Sequence, residues 1–142
     1  MIVPLLNTPS LVVAHDPAMH CLYVTWSGRH DPEQTVANCD LLLHYLQSTH
    51  ATCILNDSTQ SLDGWHEISG WLSLDFFPRL AENGLLAVAW VNARDWPTRT
   101  VTDQMLRAVS HPLIDTFSDV EAAASWLRTL PAAKPVAARS SP

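Results

Sequence analysis

The chain has 142 residues and a formal net charge of −6, with seven Arg and one Lys scattered among 14 acidic residues. It lacks the basic stripe of a nucleic-acid binder, and no run approaches the ~18 apolar residues of a membrane span. The length suits one domain, able to bury roughly 68–70% of its unfolded surface without staples.

Cys21, Cys39 and Cys53 make an odd set, each inside an apolar pattern. They read as small buried hydrophobes in a reducing compartment, with a disulfide between two strands as the alternative. Met1 to Pro9 lacks the basic start and continuous apolar core of a signal peptide, so a cytoplasmic location is expected. Residues 1–10 read as an N-terminal extension and 11–130 as a single α/β domain. Residues 131–142, rich in Ala, Pro and Ser without period, read as a disordered tail.

Leu11-Val12-Val13-Ala14 and His20 to Trp26 are strand-like and joined by Asp16-Pro17, which predicts a β-hairpin, the one antiparallel feature of the sheet. Leu22, Val24 and Trp26 share one face with His20, while Cys21, Tyr23 and Thr25 share the other. Asp31-Pro32-Glu33-Gln34 is a helix start with a cap, an N-terminal proline and a capping box. Val36, Cys39, Leu43 and Leu46 form its expected buried stripe, with Asp40, His44 and Gln47 outside. Thr52 to Leu55 reads as a short central strand ending on Asn56-Asp57-Ser58.

A second helix, starting near Asp63 or Gly64, carries Ile68, Leu72 and Phe76 inward. It must kink or break before Pro78 and ends at Gly84, a good left-handed cap. Leu85 to Val91 is an uninterrupted apolar run, as in a strand covered on both faces. Thr100 and Asp103 suggest a third helix with Val101 and Met105 inward, and Leu113 to Phe117 a last strand. Ser118-Asp119-Val120-Glu121 reads as a second capping box, opening a helix that buries Ala123, Trp126, Leu127 and Leu130. The alternation predicts an α/β fold: a four- to five-stranded, mostly parallel mixed sheet opened by the hairpin, with helices packed on it.

This order resembles the SpoIIAA-like branch of the STAS superfamily, whose fold is that of anti-sigma-factor antagonists. The likeness lies in Tyr23-Val24-Thr25-Trp26-Ser27-Gly28 leading into a helix and in Ile54-Leu55-Asn56-Asp57-Ser58. It continues in Phe76-Phe77-Pro78 before Gly84, and in Thr116-Phe117-Ser118-Asp119-Val120-Glu121-Ala122-Ala123 with Trp126-Leu127. It spans about Leu11 to Leu130 and implies a non-enzymatic regulatory or binding module. Antagonists of this kind are switched on a serine in an Asp-Ser-Ser-Gly-like turn; here that region reads Ser61-Leu62-Asp63-Gly64, without the serine pair. Lipid-carrier-like members open their helices over an apolar pocket, which the Trp-rich second helix would permit.

Ligands of open parallel sheets sit outside the carboxyl ends of the strands. Asp57, Ser58, His66, Arg94, Trp96 and Arg99 are expected there, beside Asn56 and Asn92. Trp65 or Trp96, with Arg94 or Arg99, could stack on and clamp a small anionic or amphipathic ligand. Against this stands the plainer reading that Asp57 caps its loop and the arginines are solvated. One or more of Trp65, Trp71 and Trp96 could form a patch for a protein partner or a second copy of the chain, a homodimer through the second helix.

An alternative is a small serine-type hydrolase using Ser58, His66 and Asp57 or Asp63, although no Gly-x-Ser-x-Gly elbow is present. A phosphoacceptor role for Asp57 lacks an acidic pair and a nearby lysine, the sole one being Lys134. His15 and His20 flank the hairpin turn as a weak zinc signal. No cofactor or metal is expected.

Overall fold

In the computed structural model, which describes residues 1–29, 31–62, 68–94 and 96–130, six strands lie side by side in the order of the chain. β1 (Val3–Asn7), β2 (Leu11–Asp16) and β3 (Cys21–Gly28) each run antiparallel to the next. β4 (Cys53–Ser61), β5 (Ala87–Val91) and β6 (Leu113–Phe117) continue the sheet parallel to β3. The fold is the mixed α/β sheet the sequence predicts, with one strand more than the four to five expected and two antiparallel pairs instead of one. The added strand is hard to read because it contains Pro4 and its register slips between Pro4 and Leu6. Proline is tolerated there because β1 is an edge.

Each parallel connection is helical. α1 (Pro32–Thr49) joins β3 to β4, and α4 (Trp96–Arg107) joins β5 to β6. Between β4 and β5 run α2 (Ser69–Trp71), a π-helical segment (Leu72–Phe76) and α3 (Phe77–Glu82). Right-handed crossovers between strands laid down in one direction must all fall on the same side of the sheet. That face buries Leu22, Val24 and Trp26 of β3 with Leu42, Leu46, Phe76 and Leu80 from the helices. α5 (Val120–Thr129) follows the last strand and is not a crossover, so it is free to cover the other face. There it packs Ala123 and Leu127 on Cys21, Cys53, Leu55, Ala87, Ala89 and Val91.

α1 starts as expected: Asp31 accepts from the Gln34 N–H at 3.0 Å. Its buried face is rotated from the expected stripe, with Thr35, Asn38, Cys39, Leu42 and Leu46 inward and Val36 and Leu43 only half-buried. The polar members are satisfied where they are buried. Thr35 donates its hydroxyl to the Asp31 carbonyl at 2.8 Å, and the Asn38 amide donates to the Ser10 hydroxyl at 3.2 Å. Apolar spacing alone cannot register such pairing.

Pro78 has the expected consequence in an unexpected form. The helix does not break; it widens into the π segment just before the proline, and the Phe77 N–H bonds back to the Leu72 carbonyl. The wider turn makes room for the pyrrolidine ring in the helix. Gly84, at φ +100°, then closes α3, with the Leu85 N–H on the Leu80 carbonyl at 3.1 Å. α4 begins at Trp96, four residues ahead of the start suggested by Thr100. α5 is capped by Asp119, which accepts from the Ala122 N–H at 2.8 Å, one residue beyond the expected Ser118.

Candidate functional site

The carboxyl ends of the parallel strands are uneven. β5 pairs with β4 only as far as Val91 opposite Asp57, whereas β4 runs on to Ser61 beside Gly28 of β3. Residues 58–61 therefore extend past the end of β5, paired to β3 alone. The register slips between Thr25 and Ser27, where β4 carries one extra residue. The segment expected to leave the sheet at Asn56 thus stays in it.

Strand alternation sends Asp57 and Ser58 to opposite faces. Ser58 is 2% exposed, and its hydroxyl accepts from the Asn56 amide at 3.0 Å. Asn56 in turn accepts from the Trp26 indole N–H at 2.7 Å, so Trp26, Asn56 and Ser58 form a buried chain on the α1 face. Asp57 points to the α5 face, where one carboxylate oxygen accepts from both the N–H and the hydroxyl of Thr59, at 2.9 and 2.7 Å. A triad pairing Ser58 with Asp57 is therefore incompatible with the sheet. Trp65, His66 and Asp63 lie outside the described residues.

The other candidates divide between core and surface. Trp71 is half-buried and stacks on Phe76 with ring centroids 5.6 Å apart, so much of it serves packing. Arg94 is exposed just past β5, Arg99 is half-buried on α4, and Trp96 is 73% exposed at the first turn of α4. α2 and the π segment touch α4. Leu62, just past β4, and Leu74, in the π segment, are exposed at 60% and 79%. Asn92, directly after β5, is buried, with its side-chain oxygen lacking a hydrogen-bond partner among the described residues.

Two hollows adjoin these residues. Beneath the π segment, Trp26, Asn56, Leu72, Phe76 and Trp90 help line a space of about 20 Å³. That volume holds about one water, far below the roughly 300–1,000 Å³ of a small-molecule site. On the opposite face a groove of about 230 Å³ runs beside α5, lined by Tyr23, Thr25, Leu55, Asp57, Val120 and Ala124. Tyr23 donates its hydroxyl to Asp16 at 2.8 Å, and burial together with that bond pushes its ionisation well above the ordinary range. Sequence reasoning missed this groove. The alternation of β3 places Tyr23 and Thr25 on one face, but which helix borders them is a tertiary fact.

His20 leaves the strand and sits in the hairpin turn at φ 51°. No group of three or more potential metal ligands occurs among the described residues. No described helix is long and apolar enough to cross a membrane.

No protein-family model and no curated protein matches the chain. Among solved structures it is similar to apo-SiaC from Pseudomonas aeruginosa, with a TM-score of 0.53 and 13% identity, over 83% of this chain and 99% of that one. A second SiaC structure from the same organism aligns at a TM-score of 0.48 and 11% identity, over 82% of this chain and 99% of that one. The first likeness extends over most of this chain and nearly all of the other, and supports the architecture described above.

Proposed function

We propose that this chain is a non-enzymatic, STAS-like regulatory or binding module that docks a protein partner at its strand-end rim and second helix. The observation that carries this reading is the contrast between the rim and the interior. Leu62, Leu74 and Trp96 are large apolar side chains left exposed around the carboxyl end of the sheet and the helices over it. Trp96 and the exposed Arg94 are of the residue types enriched as interface anchors, and Leu62 and Leu74 add exposed apolar area. The space under the second helix is too small for the amphipathic ligand that an opened pocket would carry.

The test places a photocrosslinking amino acid at position 74, 96 or 12 of the full chain in its native host. Val12 is exposed on the first half of the sheet and serves as the reference position. The expected result is one protein adduct from positions 74 and 96 and none from 12, with Trp96→Ala lowering the yield from position 74. An adduct of twice the chain mass identifies the partner as a second copy. Equal labelling at all three positions, or none at 74 and 96, counts against the rim.

A further inference from the structure

We propose that Cys21 and Cys53 form a redox-active dithiol that a peroxide closes into a cross-strand disulfide. The inference goes beyond the docking reading and concerns the opposite face of the sheet. The two residues are direct register partners in the parallel β3–β4 ladder, and both side chains face α5. Neighbouring strands lie about 4.7–4.9 Å apart, inside the Cα separation of roughly 4.4–6.8 Å that a disulfide spans. All three cysteines are free, and Cys39 sits on α1 across the sheet, out of reach of the pair.

The local chemistry makes the two thiols unequal. A hydrogen bond from Cys21 holds the Cys53 sulfur below the ordinary thiol range, although burial and the Asp16 carboxylate oppose this. That same bond, then burial, pushes Cys21 far up. Cys53 is also more open, at 7% exposed against 1% for Cys21 and 1% for Cys39. Cys39 has no such partner, and burial raises it. The more open Cys53 is the sulfur a peroxide reaches first, and Cys21, its register partner, is placed to resolve it.

The steps balance. The Cys53 thiolate attacks one peroxide oxygen, the O–O bond breaks, and hydroxide leaves and takes up the thiol proton as water. The sulfenic acid formed on Cys53 is then attacked by the Cys21 sulfur. The S–S bond forms, the S–O bond breaks, and a second water leaves with the Cys21 proton. Each sulfur is oxidised by one electron and hydrogen peroxide is reduced by two.

Hydrogen peroxide is added to the reduced, folded full-length chain. The reaction is quenched, and free thiols are counted with a maleimide after denaturation. The expected result is loss of two of the three thiols, a mass lower by two hydrogens, a peptide linking Cys21 to Cys53, and Cys39 fully labelled. A Cys21→Ser variant should instead accumulate a dimedone-trappable sulfenic acid on Cys53. Retention of all three thiols, a linkage through Cys39 or a second chain, or oxygen adducts without a cross-link would each overturn the proposal. The wild-type measurement stands alone if the variant does not fold.

Discussion

The face of the sheet under α1 to α4 is filled by Leu, Ile, Phe and Trp, whereas the face under α5 holds alanines, two cysteines and a few larger residues. β5 shows the division within five residues: Val88 and Trp90 point to the first face, and Ala87 and Ala89 to the second. Three crossover connections supply enough side-chain volume to fill a thick layer. A single ten-residue helix does not, so the second face uses small residues that let α5 approach closely. α5 packs on β4, β5 and β6 and leaves the outer face of β2 and β3 more open, which is where the groove and the Tyr23–Asp16 bond lie. One face is stabilised by bulk and the other by closeness of fit.

The comparison predicts opposite sensitivities. Leu80→Ala, at a site 0% exposed on the thick face, should cost about 2–5 kcal/mol in urea denaturation with an unchanged slope. A loss under about 1 kcal/mol would mean that this layer relaxes as readily as a surface. Ala89→Leu, also 0% exposed but beneath α5, should cost about 1–3 kcal/mol by overpacking. A neutral result would show that α5 does not sit close. Asp119→Ala removes the cap of α5, the one helix on that face among the described residues, and should cost about 1 kcal/mol, seen as faster amide exchange in α5 than in α1.

The smallest effect is alkaline. Below about pH 10 Tyr23 is neutral in both folded and unfolded chains, so it adds no pH dependence. Above that value the unfolded tyrosine ionises, whereas the folded one keeps its proton because of burial and its bond to Asp16. Stability therefore falls as pH rises toward the folded value. Tyr23→Phe should flatten that decline in denaturation midpoints measured across the alkaline range. An unchanged slope would assign the decline to other groups.

Features that depend on near neighbours were legible in the chain. The Asp31 cap, the face division of β3 and the left-handed turn at Gly84 follow from local geometry, and all three are present. β4 was cut short because Asn56, Asp57 and Ser58 are turn-forming residues. They remain in the strand because Trp26, thirty residues away, satisfies Asn56, which in turn satisfies Ser58. Of the residues expected at the rim, Arg94 and Trp96 follow the end of β5, and Ser58 lies within the last residues of β4. The inner arrangement of the rim was not legible, because lengthening β4 past Asp57 sends two adjacent side chains to opposite faces.

From the sequence alone came the alternation of strands and helices, and with it the parallel core, because periodicity and caps act within a few residues. The tertiary structure alone decided the rotation of α1, the reach of β4, the pairing of Cys21 with Cys53 and the groove beside α5. Each depends on which distant group satisfies a buried polar atom or which helix covers a face, and burial is a property of the assembled sheet.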